Sequence, residues 1–106
     1  MLVISLHPDA VDEYAAAFRW YQERSPSAAV RFELHAEQAL MLLATHPEAS
    51  PLCDDLHRYR RIRRFPYGIV YRCIGQTVVI VSFAHDRQLP GFWHDRVTTA
   101  SPPDAL

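Results

Sequence analysis

Five arginines fall within seven residues at the start of RYRRIRRFPYGIVYR (58–72): Arg58, Arg60, Arg61, Arg63 and Arg64. A guanidinium presents a planar fork of N–H donors that grips phosphate or carboxylate bidentately, and its pKa is too high for ordinary proton donation. The run can therefore hold a polyanion or an acidic peptide, but it supplies charge and not acid–base chemistry. Side chains able to move a proton occur at Tyr71 and at His85, the latter in AHDRQLPGFWHDR (84–96), which also carries Arg87 and Trp93. All eleven basic residues are arginine, which excludes Schiff-base and lysine general-acid chemistry.

The formal net charge of -1 conceals an asymmetry. Residues 1–55 hold three arginines and nine acids (-6), whereas residues 56–106 hold eight arginines and three acids (+5). An acidic first half joined to a basic second half implies two surfaces with different partners. Cys53 and Cys73 read as two packed thiols and not a disulfide. The six histidines show no HExxH or comparable spacing, so no metal and no cofactor are expected.

These groups must be positioned by one domain, because 106 residues build a single core. No apolar run approaches the ~20 residues of a membrane span, and MLVISLHPDA lacks the features of a signal peptide. A cytoplasmic location without membrane contact is the expectation. LVISLH (2–7) suits a first strand ended by Pro8. Val11, Tyr14, Ala15, Phe18 and Tyr21 then recur at helical spacing, and Ser25-Pro26 reads as an N-cap followed by proline at the first helical position. A second helix carries Ala29, Phe32, Ala36, Ala39, Leu40 and Leu43 on one face and stops before Pro47. Beyond the loop 47–55, turn signals divide three strands at about 57–64, 67–74 and 77–84, with His85 in phase with Val79, Val81 and Phe83. The fold class is α+β in the order β-α-α-β-β-β, an antiparallel twisted sheet with a helical hairpin on one face. Residues 1–96 form the domain, and 97–106 read as a frayed tail.

Four stretches, AAFRWYQERSPSAAVRF (16–32), the Pro47 loop, RRFPYGIVYR (63–72) and AHDRQLPGFWHDR (84–96), resemble the RelE/ParE superfamily of toxins from bacterial type II toxin–antitoxin systems. The resemblance spans nearly the whole chain. It implies a growth-arresting protein held in check by a cognate antitoxin, whose C-terminal segment folds onto the toxin. One branch of the family cleaves mRNA on the ribosome; the other, ParE-like, lacks nuclease chemistry and inhibits DNA gyrase.

The residues favour the ParE-like branch; the alternatives are the enzyme reading and a weakened toxin acting mainly as an antitoxin-binding module. For an mRNA endoribonuclease the matching positions are Arg61, Arg63 and Arg87, with His85 as a substitute acid–base group. The branch's usual arginine in the middle strand falls at Gly68, and its C-terminal tyrosine falls at Trp93. For a gyrase inhibitor, Arg58, Arg60, Arg61, Arg63, Arg64, Arg87 and Trp93 are candidate contacts to the target or the antitoxin. Trp20, Tyr21 and Leu34 on the hairpin are further antitoxin contacts. Each arginine also has a structural reading as an ion-pair partner or solvated edge, and Phe92 and Trp93 as packing for the C-terminal segment.

Overall fold

Both helices open on a proline, at the position where a helix has no partner for an N–H. In the computed structural model, which describes residues 2–88 and 90–96, strand β1 (Val3–Leu6) leads through His7 into helix α1 (Pro8–Arg24). His7 Nδ1 accepts from the Asp9 amide at 3.0 Å and caps the helix. Ser25 alone separates α1 from α2 (Pro26–Thr45). Its N–H donates to Tyr21 O at 2.7 Å, ending α1, and its hydroxyl accepts from the Ala28 N–H at 3.3 Å, starting α2. One residue serving both ends folds the pair into the expected hairpin.

Ala29, Phe32, Ala36, Ala39 and Leu43 fill the inner face of α2 as their spacing predicts, with Leu40 half-buried. Ala10, Tyr14, Ala17 and Tyr21 face them from α1. Val11, at the rim of that stripe, is exposed and lines a groove with Leu6. The rings of Tyr14, Tyr21, Phe32, Phe65 and Phe83 meet at centroid distances of 5.1–5.5 Å, within the range where edge and offset contacts add to burial.

Strands β2 (Arg58–Arg61), β3 (Tyr67–Ile74) and β4 (Thr77–His85) pair consecutively and antiparallel, in the sheet order β1-β4-β3-β2. β1 lies parallel to β4, so the sheet is mixed; the intervening helical hairpin is the crossover that a parallel pair requires. β2 is shorter than its sequence suggests. Ile62 turns into the core, fully buried, and Arg64 adopts a left-handed φ of 70°, so Arg63 and Arg64 belong to the turn into β3. Gly75, at φ 59°, makes the tight β3–β4 turn.

Beside Val81 the β3–β4 register slips by one, with Val70 opposite Ser82 and Tyr71 opposite Ile80. This bulge reverses the phase of the rest of β4. Val79 and Val81 pack on the sheet face away from the helices, while Phe83 packs toward them and the His85 ring lies 5.0 Å from that of Tyr67. The simple alternation that groups His85 with Val79 and Val81 therefore fails at the bulge.

β1 covers β4 only as far as Ile80, which leaves a sheet edge beyond it. Glu13 of α1 and Arg96 close that edge. Glu13 Oε1 accepts from the Phe83 amide (3.1 Å) and Ser82 Oγ (2.9 Å), while Arg96 Nη1 donates to Val81 O (3.0 Å). The two side chains also form a bidentate pair at 2.9 Å for each bond. The outer sheet face carries a second apolar cluster of Val70, Val79, Val81 and Ala84, covered by Trp93 from the turn at 91–96. No helix among the described residues is long and apolar enough to cross a membrane. The expectation for 97–106 lies outside the described residues.

Candidate interaction surface

The turn after β2 and the end of β4 meet at one end of the sheet, where the Asp86 amide donates to Pro66 O at 2.9 Å. That end gathers Arg61, Arg63, Arg64 and Arg87, all exposed. Arg61 is paired with Asp86 at 2.9 Å. Arg63, Arg64 and Arg87 make no ion pair among the described residues, so their guanidiniums are available to a partner. Arg60 is half-buried and lines a shallow groove with Pro51, Tyr59 and Arg61. Arg58 is occupied internally: its Nη1 donates to Ser50 O at 2.7 Å and holds the loop after α2 against the sheet. The run in sequence thus divides into a structural member and an exposed basic end.

Gly68 has a physical reason to be glycine. Tyr59, across the β2–β3 ladder, lays its ring directly over it, and a Cβ at 68 would overlap the ring and its hydroxyl. The Tyr59 hydroxyl approaches Asp86 Oδ1 at 3.5 Å. The space that an arginine would need at this position is filled by an aromatic ring.

The acid–base candidates fare unequally. Tyr71 is fully buried and its hydroxyl donates to Pro47 O at 2.6 Å, with burial pushing its pKa up. It anchors the loop and has no path to a substrate. His85 is half-buried, and its Nδ1 accepts the Arg87 amide at 3.0 Å. It sits beside a cleft of about 210 Å³ lined by Tyr59, Val70, Ala84, Asp86, Phe92 and Trp93.

Trp93 is buried in the outer cluster and packs against the fully buried His57 ring at 4.9 Å, so exposed Phe92 is the aromatic that this segment presents to solvent. His57 Nδ1 lies 3.0 Å from both oxygens of Asp54. Burial pushes the His57 pKa below its ordinary value, against the pull of Asp54. For Asp54 burial acts the other way but is outweighed: the Leu56 and His57 amides and the His57 ring hold the carboxyl below its usual range. His94 Nε2 stands 3.7 Å from Asp54 Oδ2. Spacing in the sequence hides this cluster, because His94 arrives from a segment 37 residues beyond His57. Sequence reasoning also missed the Glu13–Arg96 pair; the sole signal was the last arginine of AHDRQLPGFWHDR. Cys53 and Cys73 are free, but both are exposed and not packed.

On the hairpin, Trp20 and Leu34 are exposed, and Arg24 stacks 3.9 Å from the Trp20 ring centre. Tyr21 instead packs into the core against Phe32 and Phe65.

A strand, a proline-started helical hairpin and three antiparallel strands make a small α+β domain with an arginine-rich end. The family model described as the ParE toxin of the type II toxin–antitoxin system, parDE, matches residues 4–90, and the chain belongs to this family. Among solved structures, a chain titled "Chromosomal ParDE TA system from P. aeruginosa" shares the fold with a TM-score of 0.67 at 17% identity, covering 80% of this chain and 96% of that one. No curated protein sequence matches this chain.

Proposed function

We propose that this toxin arrests growth by inhibiting DNA gyrase and is neutralised by a cognate antitoxin. Its membership of the ParE family over residues 4–90 is the observation that carries the reading. Three features support it over ribosome-dependent mRNA cleavage. The ring of Tyr59 fills the space above Gly68, the Tyr71 hydroxyl is spent on Pro47, and Trp93 is buried where an RNA-cleaving relative carries a tyrosine. Metal-free phosphodiester cleavage needs a proton donor and acceptor set against a charged clamp. His85, Arg63, Arg87 and the Asp86-paired Arg61 are the residues left for that alternative.

The two charge halves suggest a division of labour. Arg63, Arg64 and Arg87 meet the target complex, whereas the helical side, with Leu34 and Met41 exposed beside acidic Glu37, takes the antitoxin. Induced expression without antitoxin tests both assignments. Growth should stop with a DNA-damage response and intact mRNA. Arg63→Ala/Arg64→Ala/Arg87→Ala should relieve arrest while retaining antitoxin binding, and Leu34→Glu/Met41→Glu should do the reverse. Codon-phased mRNA cuts would overturn the gyrase reading. Loss of antitoxin binding by the arginine variant would instead make the basic end the antitoxin's dock.

A further inference from the structure

We propose that Asp54, His57 and His94 form a binding site for a late first-row divalent cation, zinc foremost, that fastens the C-terminal turn to the 53–57 loop. The inference is independent of the toxin's target. One ligating atom from each residue lies within 4.8 Å of the others. Asp54 Oδ2 is 3.0 Å from His57 Nδ1 and 3.7 Å from His94 Nε2. Tetrahedral zinc with bonds of ~2.0–2.2 Å spaces its ligand atoms ~3.3–3.6 Å apart. The two Asp54 separations fall on either side of that spacing, and the His57–His94 separation, within 4.8 Å, must shorten on binding. His94 is exposed, and rotation of its ring can close the longest gap.

The supporting contacts are those a ligand set uses. Asp54 Oδ1 accepts the amides of Leu56 (2.8 Å) and His57 (2.7 Å), which fixes the carboxylate and turns Oδ2 toward the second ring. His94 Nδ1 lies 3.3 Å from Asp95 Oδ1; a proton held there leaves the Nε2 lone pair directed at Asp54. Such a carboxylate–histidine–metal arrangement fixes tautomer and ring orientation. On His57, Nε2 is buried without a hydrogen-bond partner among the described residues, so it can carry the ring proton while Nδ1 serves as ligand.

Two imidazoles and one carboxylate suit zinc and its neighbours, whereas magnesium and calcium take oxygen ligands. The exposed side of His94 leaves the fourth position to water. Arg72, buried on the same face, places a like charge near the site and weakens cation binding there. A bound cation would tie residues 54 and 57 to 94 and close the turn over Trp93. Binding to the folded state in preference to the unfolded chain would stabilise it by mass action.

The test is calorimetric titration of the untagged full chain with zinc chloride alone, alongside melting curves. One equivalent should bind and raise Tm, magnesium should do neither, and cobalt should give the visible absorption of a tetrahedral site. His94→Gln should lose at least about 10-fold in affinity and the cobalt band. His46→Gln, an exposed histidine at the end of α2, should retain both. Absence of saturable binding, or equal binding by wild type and His94→Gln, would overturn the proposal.

Discussion

Removing Glu13 should loosen the C-terminal turn from a distance of more than eighty residues. Its carboxylate accepts four hydrogen bonds, two from Arg96 and one each from Ser82 and the Phe83 amide. The Glu13 and Arg96 side chains are 20% and 17% exposed, enough shelter for the pair to matter. Breaking a buried pair from one side costs about 3–5 kcal/mol, because the surviving charge and donors are stranded. Residual solvent access and a second carboxylate, Asp9 Oδ2 at 3.6 Å from Arg96 Nε, put Glu13→Ala at the bottom of that range, about 3 kcal/mol. Arg96→Ala leaves Glu13 its two other donors, so about 2 kcal/mol is expected, since hydrogen bonds to charged groups are worth about 1.5–3 kcal/mol each. In a domain of this size each kcal/mol moves Tm by roughly 4–8 °C. Urea denaturation of both single variants and the double variant gives the coupling, expected at about 1–3 kcal/mol. Limited proteolysis should show cleavage near residue 96 in both variants. If each single variant stays within about 0.5 kcal/mol of wild type, or the two effects simply add, Glu13 and Arg96 do not hold this edge.

Gly68→Ala should destabilise by about 1–3 kcal/mol through overpacking against the Tyr59 ring, and by much less in a Tyr59→Ala background; equal penalties in both would mean that the ring is not the obstacle. Trp93→Ala should cost about 3–5 kcal/mol by emptying the outer cluster, measurable by denaturant titration, and a loss under about 1 kcal/mol would mean the turn does not pack there. All five tyrosines have raised pKa values, with burial the largest cause in each and Tyr14 pushed up to about 12. Because the folded state holds the neutral phenols, their contribution is complete below the ordinary value of 10.0 and is lost as pH rises through each raised folded value, that of Tyr14 at about 12. Tyrosinate absorbance should therefore rise late and together with unfolding; independent titration near pH 10 in a folded chain would contradict this burial.

What the sequence revealed was whatever local chemistry encodes. Ser25-Pro26 announces both helix ends in one dipeptide, and the apolar spacing of α2 names its buried face directly. The parallel pairing of β1 and the slip at Val81 depend on segments far apart in the chain, and no short pattern carries them, whereas the packing of Trp93 is among the readings its own segment allows. The arginine run is the clearest case of partial legibility. Its charge is visible at once, but the inward turn of Arg58, the pairing of Arg61 with Asp86 and the turn that exposes Arg63 and Arg64 follow only from where β2 stops. Gly68 stands out in sequence against RNA-cleaving relatives, and its cause, the Tyr59 ring, appears only across the ladder.

Gyrase inhibition is tested with purified gyrase supercoiling relaxed plasmid while the toxin is titrated in. Supercoiling should fall with dose and recover when equimolar antitoxin is added, and Arg63→Ala/Arg64→Ala/Arg87→Ala should require a much higher dose. Undiminished supercoiling at toxin concentrations that cleave mRNA on purified ribosomes would rule out gyrase as the target.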